Sequence, residues 1–430
     1  MKIIYIIPGF GGTFYCGNCL RDSVFSRAMK ANGHDAVTLP LYLPHSLKDF
    51  EQQAELPVFY GAVNIYLKQH FKIFRHMPKW LHSFFNSPFI LKYAARKSGS
   101  TRAEGLEEMT ISMLNGDEGY QREELDELIH YIRHHEKPDV VHLSNALLMG
   151  LAKKIKEELQ VPVYCSLQDE DVWINAMNEI FKPKLWQLMS DKARDIDAFI
   201  AVSQYFKKVM QDHMQIPDSK IHVVPLGVDP ALYPVQQPAT NPQAIGFLSR
   251  MNEDNGFGIL IDAFIRLKKN PEFSTTKLIL TGGKTADDTS YIASQIRKLK
   301  KNKLLDFVEF IEFGDKCSSS SMDNFFRKIS ILSVPVVNGE AFGLYQLEAL
   351  ASGIPVVQPA LGAFPEIVQA SNAGAVYSPN SDEALADKWQ EVLTDPEMIH
   401  SMGLNGRRAV EEVFNLHKTT AQLVEIYLKI

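Results

Sequence analysis

Short apolar runs recur along the chain, each closed by a turn and followed by a stretch with helical spacing. The first, Ile3 to Ile7, ends in the glycine-rich PGFGGT; a helical pattern then passes through Arg27 to Met29 and stops at Asn32-Gly33. Ala36 to Leu43 is the second run, and DVVHLS, VPVYCSL and AFIAVS repeat the beat with helical stretches between them. Continuous apolar strands alternating with helices predict a parallel sheet covered by helices, the opening of a Rossmann-like half. After Val224 the pattern changes: PLGVDPALYPVQQPATNPQ is crowded with proline and has no helical period, which predicts an interdomain linker. A second series then begins with AIGFLS, TKLILTGG, FVEFIEF, ISILSVPV, IPVVQPA and GAVYS. Thr419 to Ile430 closes the chain with amphipathic helical spacing. The fold class expected is α/β, two doubly wound domains in tandem, with ligands at the carboxyl ends of strands facing a shared cleft.

Composition narrows this picture without changing it. At 430 residues the chain exceeds what one hydrophobic core usually serves. Its formal net charge of -6 argues against a dedicated nucleic-acid binder. The opening MKIIYIIPGF breaks at Pro8 and Gly9, too soon for a signal peptide or a membrane span, so it is expected to be a buried first strand. Four cysteines, Cys16, Cys19, Cys165 and Cys317, make no disulfide framework, and a reducing cytoplasm is the expected compartment. Cys16 and Cys19 are spaced Cys-x-x-Cys, but no second pair lies at zinc-site spacing; they are expected to be small buried thiols.

One segment departs from the rhythm. Between Leu56 and Ala103 there are eight Lys or Arg, no Asp or Glu, and many aromatic residues. Two readings stand: helices of the first domain with a solvated positive face, or a basic aromatic surface, over residues 68–102, that makes a peripheral contact with the inner membrane face or an anionic acceptor.

The densest chemistry lies in GEAFGLYQLEALASGIPVVQPALGAFPE. Glu340 and Glu348 flank Phe342-Gly343-Leu344, directly after the strand ISILSVPV and at the start of a helix. Gly343 lets the main chain approach a ligand, and the first N–H groups of the helix suit an anion such as a diphosphate. Glu340 before the helix and Glu348 within it can each accept hydrogen bonds from sugar hydroxyls, since an ionised carboxylate is acceptor-only and bidentate.

On these residues, together with the G-x-x-x-E of Gly362 to Glu366, the sequence resembles the retaining glycosyltransferases of family 4, which have the GT-B architecture of two facing Rossmann-like domains. The resemblance covers most of the chain and is strongest from Ala244 to Val413. It implies an N-terminal acceptor domain over 1–225, a linker over 226–243, and a C-terminal nucleotide-sugar donor domain over 244–414. The helix of 415–430 is expected to pack back on the N-terminal domain. It implies that Glu340 contacts the donor sugar and Glu348 the ribose, and that Phe342, Gly343 and Leu344 lie against the donor. Arg250, in FLSRMNEDNGFG, matches the arginine that clamps the diphosphate in the family. The lysine that accompanies it there is replaced by Asn255, with Lys284 on the TGGKT turn as a candidate substitute. Gly11 and Gly12 of the first loop would approach the donor phosphates. A nicotinamide-binding loop is disfavoured, because its third glycine would fall at Phe14 and no acid ends the second strand. On the acceptor side, His142 in DVVHLSN and Asp169 in SLQDEDVW follow apolar strands and are expected to face the cleft; Gln168 stands where many relatives have histidine.

The activity implied is transfer of a sugar from a nucleotide-diphosphate donor to a sugar, glycolipid or other acceptor with retention at the anomeric carbon, and without a metal or other cofactor. The alternatives are a nucleotide-sugar binding or scaffold protein that has lost turnover and, sharing the architecture, a nucleotide-sugar epimerase or a phosphorylase; the last is disfavoured because no context for a pyridoxal phosphate lysine is found.

Overall fold

The computed structural model describes residues 1–9, 17–41, 103–312 and 319–429. Gly11, Gly12, Cys16, Cys317 and the basic aromatic segment over 68–102 lie outside the described residues. Two compact units partition the chain, one built from Met1–Gly11, Asn18–Val224 and Thr420–Ile430, the other from Gly12–Gly17 and Pro225–Thr419.

In order, the first half carries β1 (Lys2–Ile7), α1 (Gly17–Ala31), β2 (Asp35–Pro40), α2 (Glu107–Leu114), α3 (Arg122–Tyr131), β3 (Val140–Leu143), α4 (Ala152–Leu159) and β4 (Val163–Leu167). It continues with α5 (Glu170–Asn175), α6 (Lys182–Lys192), β5 (Ala198–Ala201), α7 (Gln204–Met214) and β6 (Ile221–Val223). These strands form a six-stranded sheet ordered β2-β1-β3-β4-β5-β6, with every pairing parallel. Strands β3, β4 and β5 are buried along their whole length, which is why they read as unbroken apolar runs.

The second half carries β7 (Ala244–Leu248), α8 (Phe257–Leu267), β8 (Lys277–Thr281), α9 (Thr289–Lys301), β9 (Val308–Phe310), α10 (Ser319–Phe326) and β10 (Ile331–Leu332). Then come α11 (Leu344–Ala351), β11 (Val356–Pro359), α12 (Phe364–Ser371), β12 (Gly374–Tyr377), α13 (Asp382–Leu393), α14 (Pro396–Glu412) and α15 (Leu416–Lys429). Its sheet is also six-stranded and parallel, ordered β12-β11-β10-β7-β8-β9. Strand order reverses between β7 and β10, whose Ile245 and Ile331 lie in register. The loops leaving those two strands diverge from neighbouring carboxyl ends, where open α/β sheets bind ligands.

From Thr420 onward α15 belongs to the first unit, where Leu423, Val424, Ile426 and Tyr427 share a buried cluster with Ile3, Val140, Tyr164 and Ala198. The Tyr427 hydroxyl is hydrogen-bonded to His142 Nδ1, and the Tyr164 hydroxyl donates to the Tyr427 carbonyl at 3.2 Å. The proline-rich stretch after Pro225 is bound into the second unit by Arg407 of α14. One guanidinium nitrogen of Arg407 donates to the carbonyls of Pro230, Tyr233 and Ala351 at 3.1, 2.8 and 2.8 Å.

Candidate active site

The loop after β10 carries Glu340, and Gly343, with φ at +85°, starts α11. A β-carbon on Gly343 would stand 3.0 Å from both Glu340 Oε2 and Gln346 Nε2, and 3.1 Å from the Phe364 ring. Glycine is required twice over: the left-handed backbone strains any other residue, and the space is taken by the carboxylate. Gln346 Nε2 donates to the Phe342 carbonyl at 2.9 Å and closes the first turn of α11 back onto the loop. Phe342 and Leu344 are buried on either side of it.

The main chain of Glu340 is fixed from below by Gly362, the glycine of the G-x-x-x-E run. The Ala363 N–H donates to the Glu340 carbonyl at 3.0 Å, and a β-carbon on Gly362 would fall 2.5 Å from that same oxygen. Close main-chain approach, with φ at +58°, explains why a glycine stands there.

All eight residues of α11 are buried, Glu348 among them at 5% exposure. Its Oε1 accepts a hydrogen bond from the Tyr233 hydroxyl at 2.8 Å. A carboxylate so enclosed is retained only with partners that repay its desolvation.

Arg250 leaves the carboxyl end of β7. Its Nε and one terminal nitrogen donate to the two carboxylate oxygens of Asp288 at 2.8 and 2.9 Å, and the same terminal nitrogen donates to Thr285 Oγ1 at 3.0 Å. Thr285 and Asp288 also cap the turn that leads into α9: the Thr285 N–H donates to Asp288 Oδ2 at 2.6 Å. Burial alone would raise the Asp288 pKa, but the hydrogen bonds from Arg250 and Thr285 outweigh it and hold the carboxyl below its usual range. Asn255, standing at the lysine position of the resemblance, donates from its side chain to the Arg250 carbonyl at 2.9 Å, so it shapes the loop. Lys284 is exposed and immediately precedes Thr285.

In the first unit the expected acceptor-side residues separate. His142 is not at a strand end: it lies inside β3 at 0% exposure, with Nδ1 bonded to the Tyr427 hydroxyl and Nε2 to Ser166 Oγ at 2.8 Å. Burial, and secondarily the charge of Arg21, lowers its pKa to about 3, so the ring stays neutral. Asp169 does stand at the carboxyl end of β4, with φ at +56°, at the start of α5.

The residue beside it, which sequence reasoning passed over, is the buried one. Glu170 is 1% exposed and accepts the N–H of Ala146 and of Gln168, each at 2.7 Å. Burial pushes its pKa up to about 7 against those two backbone bonds. Gln168 Nε2 and Arg21 both donate to the Ser144 carbonyl, at 2.7 and 2.8 Å, and so tie the loops after β3 and β4 together.

Three further site residues were not singled out from the sequence: Tyr233, Asp288 and Thr285. The Thr-x-x-Asp spacing of 285–288 is a helix-start signal that could have flagged two of them. Tyr233 sits in a proline-rich stretch with no such signal.

Residues 231–409 match the family model "Glycosyl transferases group 1", and residues 111–232 match "Glycosyltransferase Family 4". A MMP alpha-(1->4)-mannosyltransferase of Mycolicibacterium hassiacum is 26% identical over 68% of this chain and 70% of its own length. A D-inositol 3-phosphate glycosyltransferase of Corynebacterium glutamicum is 29% identical over 51% of this chain and 54% of its own length. Among solved structures, sucrose-phosphate synthase from Thermosynechococcus elongatus superposes with a TM-score of 0.70 at 16% identity, over 100% of this chain and 98% of that one. Anabaena HepE, solved in complex with UDP, superposes at 0.68 and 16% identity over 100% of both chains. The two matched regions are those of glycosyltransferase family models, and the fold is the GT-B fold of these solved neighbours.

Proposed function

We propose that the protein transfers a sugar, with retention of anomeric configuration, from a nucleotide-diphosphate donor held by its second unit to a hydroxyl-bearing acceptor such as a sugar or glycolipid. The observation that carries this reading is the convergence at Gly343, where the Glu340 carboxylate meets the opening turn of α11 while Glu348 lies one turn further along the same helix.

In this reading the diphosphate lies over the N-terminus of α11, where the positive end of the helix dipole favours an anion. As the bond between the anomeric carbon and the phosphate oxygen lengthens, negative charge grows on the leaving group. Arg250, already oriented by Asp288, and the α11 dipole stabilise that charge without reorganising. Glu340 accepts from hydroxyls of the donor sugar, and Glu348 from the ribose. The departing phosphate assists removal of the acceptor proton. Lys284, one residue from the Arg250 partner Thr285, supplies the second cation in place of lysine at 255. HepE, the neighbour solved with UDP, lends support to a nucleoside diphosphate as the leaving group.

One observation favours a second reading, a binding protein that has lost turnover: the position of the second phosphate cation in the resemblance is held by Asn255, whose side chain bonds the Arg250 carbonyl instead. Incubation with a panel of UDP-, GDP- and ADP-sugars, with release of nucleoside diphosphate and the anomeric configuration of product both followed by NMR, separates the two. Turnover giving the donor's own anomer supports the transferase; binding without release, with any acceptor supplied, supports the second reading.

A further inference from the structure

Glu348 is buried in a helix whose other residues are also buried, so the orientation of its carboxylate is set by whatever touches it. One of those groups comes from outside the motif. The Tyr233 hydroxyl reaches across 115 positions of sequence to donate to Glu348 Oε1 at 2.8 Å. Tyr233 is itself held in place: its carbonyl accepts from Arg407 at 2.8 Å, and the same guanidinium nitrogen binds the carbonyl of Ala351, the last residue of α11, at 2.8 Å. The segment bearing Tyr233 and the helix bearing Glu348 are thus fastened to one cation. A turn at Pro230–Leu232, capped by Asp229 Oδ1 accepting from the Ala231 N–H at 2.9 Å, delivers the tyrosine.

We propose that Tyr233 is a positioning residue for ribose recognition: it fixes the plane of the Glu348 carboxylate so that this acid accepts from the two vicinal ribose hydroxyls of the nucleotide. The inference rests on the reading of Glu348 given above and deepens it. A carboxylate serves a vicinal diol best when its plane is set in advance, because each hydroxyl then meets an acceptor lone pair without reorganisation. A hydroxyl donor on one oxygen supplies that constraint and lowers the basicity of the oxygen it binds. The effect is confined to the diol; base and diphosphate are held elsewhere.

The test is Tyr233→Phe, which removes one oxygen and keeps the ring. Binding of UDP, GDP and ADP, and of their 2′,3′-dideoxy forms, is measured by calorimetry for the wild type and the variant, with steady-state kinetics on the sugar donor. The wild type is expected to prefer the ribose form of its nucleotide by at least tenfold. In the variant that ratio falls at least threefold, through weaker ribonucleotide binding with the dideoxy form unchanged, and donor KM rises while kcat holds. A ratio equal to that of the wild type, or equal weakening of both forms, overturns the role of Tyr233 alone. A wild type that binds ribose and dideoxyribose forms alike overturns the ribose assignment of Glu348, and the Tyr233 role with it.

Discussion

Arg250 lays two of its nitrogens on the two carboxylate oxygens of Asp288, at 2.8 and 2.9 Å, so the cation expected to meet a diphosphate is already aimed by an acid 38 residues away. A planar guanidinium held this way has a fixed direction that a lysine would lack. Asp288→Ala is therefore expected to raise donor KM roughly tenfold, the loss of one charge-assisted contact. Nucleotide titration of the variant checks this. The pair also sets an acid limit. Because the folded pKa of Asp288 is lowered, its stabilisation is complete above the ordinary aspartate value of about 4 and is lost as pH falls through the lower folded value. Denaturant unfolding of wild type and variant should converge in that acidic window.

Asn255→Lys adds a further cation to the loop that carries Arg250. Donor affinity is expected to rise by roughly tenfold or more, and Lys284→Ala to lower it by a similar factor, each with a matching change in salt dependence. Fluorescence titration with nucleoside diphosphate at two ionic strengths measures both. If Asn255→Lys still releases no nucleotide, the binding-protein reading gains.

His142 makes its own pH signature. With a folded pKa of about 3 against an ordinary value of about 6.5, the unfolded chain binds a proton that the folded chain refuses throughout that window. Stability is full above the unfolded value and falls as pH drops toward 3, with a slope approaching about 1.4 kcal/mol per pH unit from this group. His142→Gln should flatten that part of the stability profile, measured by urea unfolding from pH 7 to pH 4. A profile that keeps the wild-type slope would show that His142 titrates normally.

The outline of the fold was legible because both sheets are parallel and covered on both faces, so β3, β4, β5 and β7 read as plain apolar runs. His142 misled for the same reason: a polar letter at the end of an apolar run looked like a strand terminus, whereas Tyr427 and Ser166 satisfy both ring nitrogens inside the core. The paired glutamates and Gly343 were legible as a local pattern, because their geometry is built within one loop and one helix. Tyr233 and Asp288 were not, because their partners lie 115 and 38 positions away and only the folded chain brings them together. Asn255 was read as a missing charge; what it does instead, holding the Arg250 carbonyl, depends on loop geometry that no spacing rule encodes.

Gly362→Ala tests the support beneath Glu340 without touching the acid. The added β-carbon would meet the Glu340 carbonyl at 2.5 Å in a backbone conformation with φ at +58°. A loss of about 1–3 kcal/mol of stability is expected, with turnover falling more steeply than nucleotide binding. Unfolding and single-turnover measurements on the one variant check both parts.

The most direct measurement is nucleotide binding and donor turnover by Glu340→Ala and Glu348→Ala beside the wild type. A cognate nucleoside diphosphate at a hundred times its dissociation constant should stabilise the wild type by about 2.7 kcal/mol. Glu348→Ala is expected to abolish most of that stabilisation, and Glu340→Ala to leave it largely intact while removing turnover of the sugar donor. Wild-type kinetics in both variants would contradict the assignment of the site.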